Sequence, residues 1–224
     1  SGTRWSFETT EGSSRYLQMG RRSDYWQCRL NERIRLAATW RAGEPGQLYV
    51  NGELTDEPWS VHGGLPSDEA KRRSQLGFRF SGVLDEIRIS KVVRDAKSFK
   101  SAARLEPDEH TIALYHFDEG QGDTVYDASG NGHHGKIHGN VRWVPADEIP
   151  TKEPLPAYEL EFEGEDKYVA LPFDYDGAHP LTLEAWVRPE GDNLADRNIL
   201  LLSGATLKVW NNRWSMLAHD GQGF

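Results

Sequence analysis

The chain has 224 residues, 37% of them apolar and 11% aromatic, and a net charge of −9. That length holds one large β-sandwich or two small domains around a packed core, and an aromatic share that includes eight Trp suits pleated, half-buried surfaces. Cys28 is the only cysteine, which excludes an internal disulfide and a zinc site of clustered thiolates, and no stretch is apolar enough to span a membrane.

In chain order, the first half reads as short strands joined by turns. Arg4–Thr9 and Arg15–Met19 are alternating runs, and Cys28 closes a strand-like stretch where a small buried hydrophobe fits. Ile34, Leu36 and Ala38 alternate with Arg33, Arg35 and Ala37, the two-residue period of a strand. Gln47–Val50 leads into Asn51-Gly52, a pair that supplies the positive φ angles of a tight hairpin. Residues 60–74 are polar and read as a loop; Leu76–Phe80 and Val83–Ile89 read as strands. Residues 91–104 hold the one segment that suits a short helix. Thr111–Phe117 is a strand, followed by Asp/Asn/Gly-rich turns at 118–122 and 127–132. One or two short strands fall in 135–144. Residues 145–157 carry four prolines and four charges, the composition of an extended connector. Strands follow at 158–162, 168–171, 181–189, 199–202, 207–210 and 214–218. Many short strands at near-regular spacing predict an all-β, two-sheet antiparallel sandwich with at most one short helix. The chain begins without Met at Ser1 and stops at Phe224 inside an alternating pattern, so it reads as a piece of a longer protein.

Three stretches together carry a resemblance. Thr111–Gly139 contains Tyr-His-Phe-Asp-Glu-Gly and Asp-Ala-Ser-Gly-Asn-Gly; Leu160–Val169 reads Leu-Glu-Phe-Glu-Gly; Leu181–Pro189 reads Leu-Thr-Leu-Glu-Ala-Trp-Val-Arg-Pro. In that order they resemble the opening of a laminin G-like, concanavalin A-like jelly-roll module. Ile34–Trp40 with Leu48–Gly52, and then Phe80–Ile89, resemble the later strands of such a module, yet they come first in this chain. Residues 1–104 thus look like a C-terminal half and residues 105–224 like a truncated N-terminal half. Either two tandem modules meet here, or the halves complete one permuted sandwich. The resemblance implies a jelly roll, a non-catalytic recognition or adhesion role toward a glycan or an extracellular protein, and a place outside the cell or in the cell envelope.

Charge divides along the chain. Residues 1–105 carry a net +5 and residues 106–224 a net −14. The acidic part repels a phosphate backbone and excludes a nucleic-acid partner there, while offering hard oxygens to calcium. Arg21-Arg22 and Lys71-Arg72-Arg73 are basic clusters too short to reverse this. Jelly rolls of the resembled kind often hold a structural calcium. Asp127 and Asn131 share one compact turn, and Asp85, on the resembled final strand, is expected to approach them and complete a calcium site. Trp26, Trp59 and Trp214 are the candidate sugar-stacking rings, because aromatic faces offer broad contact at low conformational cost; Tyr25 and Trp210 are secondary. Trp40 and Trp186 are expected in the core. Tyr158–Glu163 sets Glu159, Glu161 and Glu163 on one strand face. Related sandwiches with glycosidase activity use such a strand, so these three are the catalytic alternative. Retaining chemistry needs carboxyl groups roughly 5–5.5 Å apart, and Glu159 and Glu163 lie about 13 Å apart along a strand, which leaves the adjacent pairs. A structural spacer is the second alternative.

Overall fold

A computed structural model describes residues 30–41, 44, 46–55, 74–95, 99, 104–146, 158–164, 166–175, 179–191, 197–202, 205–210 and 213–218. Two antiparallel sheets face each other. The first runs, in spatial order, β3 (Glu53–Leu54), β2 (Gln47–Val50), β1 (Ile34–Trp40), β12 (Leu181–Pro189), β5 (Ser81–Ser90), β10 (Tyr158–Glu163) and β9 (Arg142–Pro145). One more strand, β6 (Thr111–Tyr115), also pairs with β5. The second runs β15 (Arg213–Ala218), β14 (Ala205–Trp210), β13 (Arg197–Leu202), β4 (Gln75–Leu76), β11 (Tyr168–Ala170), β8 (Gly135–His138) and β7 (Thr124–Val125). Both sheets therefore combine strands from residues 34–90 with strands from residues 111–218, and no α-helix occurs among the described residues. The fold is the all-β, two-sheet sandwich that the alternation predicts.

Period-two patterning sets what each face carries. On β1, Ile34, Leu36, Ala38 and Trp40 point between the sheets; on β12, Leu181, Leu183, Ala185 and Val187 do the same. They meet Leu76, Val169, Leu200, Leu202, Leu207 and Val209 of the second sheet in one contiguous core. Each buried Leu, Ile or Val among them contributes about 1.5–3 kcal/mol by leaving water. Asn51 and Gly52 both have positive φ, so the hairpin between β2 and β3 closes as its sequence predicts.

Three expectations are corrected. Trp186 lies on the opposite face of β12 from Ala185 and Val187, because its position has the wrong parity for the core; it pairs across to Arg35 and Asp85. The strand expected over 76–80 ends at Leu76, since Gly77 and Arg79 both turn with positive φ. The strand expected over 111–117 ends at Tyr115, before a positive φ at Phe117. Half of 91–104, where a helix is expected, lies outside the described residues, and its described stretch, 91–95, is not helical; most of the connector at 145–157, the strands near the start, Cys28 and the loop at 60–73 also lie outside them.

A bulge shapes the centre of the first sheet. The β5–β12 register shifts between Glu184 and Trp186, and Glu86 adopts a φ of 47° there. On the other edge of β5, β10 pairs with residues 81–84 and β6 with residues 87–90. Asp85 and Glu86 therefore sit in the gap where one neighbour strand gives way to the next.

Candidate functional site

The loop from His116 to His134 joins β6 to β8 and is organised from within by Asp127. A bridge pairs Tyr115 with Asp127, and the Ala128 amide donates to the Leu114 carbonyl at 2.7 Å. The Asp127 carboxylate then accepts four hydrogen bonds: from the Leu114 and Ser129 amides on Oδ1, each at 2.9 Å, and from the Ser129 hydroxyl at 2.8 Å and the His133 amide at 3.0 Å on Oδ2. Burial works to raise the carboxyl's pKa, but these donors together outweigh it and hold Asp127 below the usual carboxylate range. Asn131 locks the same turn, its side-chain amide donating to the carbonyls of Thr111 and Ile112 at 2.9 and 3.0 Å.

This internal bracing turns one aromatic residue outward. Val125 is buried and Asp127 is buried, so Tyr126 between them faces water, with 59% of its surface exposed. His134, also exposed, meets it edge-on at 5.2 Å between ring centroids. The Asp127 amide donates to His134 Nδ1 at 3.0 Å, so in the neutral ring the proton sits on Nε2, a donor. Glu119 completes the group. Its Oε1 accepts the Tyr126 amide at 2.7 Å, while its Oε2 has no partner, and burial raises the carboxyl's pKa despite that hydrogen bond. On the other side of the same turn stands Tyr158, 41% exposed. Gly120 has a φ of 65°, and a Cβ there would fall 2.6 Å from the Tyr158 ring, so only glycine lets the ring lie against the turn. Trp143 of β9 ties the two sheets together here, donating from Nε1 to the Gly122 carbonyl at 3.0 Å. The cluster thus occupies the edge where β7 of one sheet and β9 and β10 of the other come together. It offers an aromatic face and a ring N–H donor, with the buried Oε2 of the Glu119 carboxylate beneath them.

The outer face of the first sheet carries charge of a different kind. Arg33 donates to Asp85 at 2.7 Å and to Glu159, so one guanidinium serves two buried carboxylates, and it also lies 5.9 Å from the Trp186 ring centroid. Desolvation and repulsion from Glu86 outweigh the attraction of Arg33, and the Asp85 pKa rises to about 7. Glu86 accepts the Leu105 amide at 2.7 Å and pairs with His116 at 2.8 Å. Further along, Glu184 is fully buried between Arg35 at 2.9 Å and Arg88. Residues 91–95 and 104–108 lie against this part of the sheet: Arg94 bonds Thr182, Leu105 bonds Glu86, and Arg88 donates to the Glu106 carbonyl.

These positions decide what each expected residue does. Asp85 answers to Arg33 and Asp127 to the amides of its own loop, and the two carboxylates share no partner. An ionised carboxylate has about four lone-pair sites, and Asp127 has filled them, so Asp85, Asp127 and Asn131 as arranged do not form a calcium cage. Among the described residues, no three His, Cys, Asp or Glu side chains gather as a metal cluster. Trp214 is only 4% exposed and packs in the core, which leaves no face for a sugar; Trp26 and Trp59 lie outside the described residues. Glu159 is fully buried and ion-paired, and Glu161 and Glu163 both pair with Arg142. Residue type alone does not single out Tyr126, Tyr158, His134 and Glu119, because their grouping depends on the bracing of the turn by Asp127. The available signal was Tyr126 itself, the one bulky ring set between a core valine and a turn-forming aspartate. No family model, curated protein or solved structure matches the chain significantly.

Proposed function

We propose that this chain is a non-catalytic recognition module that binds a glycan at the edge formed by Tyr126, His134, Glu119 and Tyr158. The carrying observation is the Tyr126 ring, 59% exposed on a loop held rigid from inside by Asp127 and Asn131. A saccharide presents C–H faces that stack on an aromatic ring and hydroxyls that both donate and accept. Tyr126 supplies the ring and His134 Nε2 the donor, while Glu119 holds the Tyr126 amide from inside the turn. Little order is lost on binding, because the loop is already fixed. The resemblance to laminin G-like modules supports the same reading and a place outside the cell or on its envelope, within a longer protein.

The glycosidase alternative receives less support. It requires two carboxyl groups beside an open groove, whereas Glu159 is fully buried and held by Arg33 inside the protein. Membrane insertion is not part of the reading, and no helix among the described residues is long and apolar enough to cross a membrane.

The test is a glycan-array screen of the chain and of its Tyr126→Ala variant, each with and without a chelator. The reading expects a defined set of bound glycans, at least tenfold weaker binding by the variant, and no effect of the chelator. Absence of any bound glycan, or binding untouched by Tyr126→Ala, would overturn it. Loss of binding with chelator alone would return calcium to the mechanism.

A further inference from the structure

His133 and His134 are neighbours with different surroundings. His134 meets Tyr126 at the exposed edge, while His133 stacks on Phe173 at 4.7 Å and lines a cavity of about 200 Å³. Ile89, Leu181 and Leu202 form apolar walls, and His179 lines it as well. An aliphatic-lined protein cavity of about 150 Å³ is enough to hold benzene, so this one accommodates a six-membered ring with a substituent.

The polar groups at the cavity are all acceptors. His133 Nδ1 lies 2.9 Å from the Ile112 carbonyl and His179 Nδ1 lies 2.8 Å from the Pro180 carbonyl. A carbonyl oxygen only accepts, so in the neutral ring each Nδ1 carries the proton and each Nε2 is left with a lone pair. Neither Nε2 has a hydrogen-bond partner among the described residues. Asp174, also at the cavity, is an acceptor whose Oδ1 takes the Ser74 hydroxyl at 2.9 Å and the Ser74 amide at 3.3 Å. The Tyr175 hydroxyl is already committed, donating to the His179 carbonyl. Apolar walls with acceptors and no free donor select a ring that brings its own O–H or N–H.

We propose that this cavity is a binding site for a small ring compound bearing a hydrogen-bond donor, separate from the glycan edge. Phenol and toluene are the probes, being alike in size and differing in the donor. Titration of the chain with each, followed by the histidine ring signals in NMR spectra, is expected to show saturable phenol binding that shifts His133 and His179. Toluene should bind about tenfold more weakly, the difference one well-placed hydrogen bond makes. The double variant His133→Phe, His179→Phe keeps the rings but removes the acceptors, and should bring phenol and toluene to equal affinity. Tyr126→Ala should leave phenol binding unchanged, which separates this site from the glycan reading. Equal affinities in the unmodified chain, no saturable binding, or phenol shifts confined to residues outside the cavity would each overturn the proposal.

Discussion

Asp127 and Asp85 are both buried aspartates next to strand irregularities, and they are tuned in opposite directions. Asp127 sits in a turn whose amides and hydroxyl converge on it, so its carboxylate is held below the ordinary range. Asp85 sits on a sheet bulge with one amide donor, from Glu86, and half of a guanidinium that it shares with Glu159, and its pKa climbs to about 7. Burial penalises both charges. The number of donors aimed at each one decides which side of its ordinary value the group ends on. The turn can supply many donors because successive backbone N–H groups in a tight loop point inward. A strand cannot, because its amides are engaged in the ladder.

The largest effect should come from removing the shared cation. Arg33→Met leaves Asp85 and Glu159 facing each other without a counter-charge, and should cost about 3–5 kcal/mol near neutral pH, the usual consequence of breaking a buried ion pair on one side. Urea unfolding at pH 7.5 and pH 5 tests this. The cost should shrink at pH 5, where Asp85 takes up a proton. An equal cost at both values would mean that Asp85 is not the strained member of the group.

The next contrast is in the sign of the pH dependence. Asp85 has a folded-state pKa raised from 3.8 to about 7. Below the lower value it is protonated in both states; between the two, only the unfolded chain has ionised, so stability falls as pH rises through this window, by up to about 4 kcal/mol. Asp127 acts the other way. Its pKa is lowered on folding, so its contribution is present above the ordinary carboxylate range and is lost as pH falls through the folded value. Asp85→Asn should flatten the stability profile between about pH 4 and 7 and leave its acid limb in place. Asp127→Ala should weaken the acid limb and lower stability at neutral pH by about 2–3 kcal/mol, because the Leu114 and His133 amides lose their acceptor. If the two variants gave the same profile, the contrast between turn and bulge would be wrong.

The sequence made the sandwich legible and the site only in part, for physical reasons that particular residues show. Ile34 to Trp40 and Leu181 to Val187 alternate cleanly, so their strands and core faces follow from a period of two. Asn51-Gly52 identifies its own turn. The bulge after Asp85 has a sequence mark that is easily passed over: the core positions change parity from Leu84 to Ile87 and Ile89 across Asp85-Glu86, so that Glu86 and Ile87 together face Ala185. Trp186 is expected in the core by alternation, but it lies one position out of phase with the core residues Ala185 and Val187. The carboxylate of Asp127 was recognised as important, but a turn that consumes all four acceptor sites has the same residues as one that leaves some for a metal.

The smallest effect is at Gly120, and it bears directly on binding. Its φ of 65° and the 2.6 Å approach of a would-be Cβ to the Tyr158 ring mean that Gly120→Ala must both strain the backbone and displace the ring. The backbone cost is about 1–2 kcal/mol, small beside the loss expected for Arg33→Met. Tyr126 and His134 rest on Asp127 rather than on Gly120, so their arrangement should survive. If Tyr158 belongs to the glycan surface, Gly120→Ala should weaken glycan binding severalfold while the signals of Tyr126 and His134 stay in place, and Tyr158→Ala should weaken it to a similar extent without the backbone cost. Binding retained by Tyr158→Ala would shrink the surface to Tyr126, His134 and Glu119, and would make Gly120 a requirement of the fold alone.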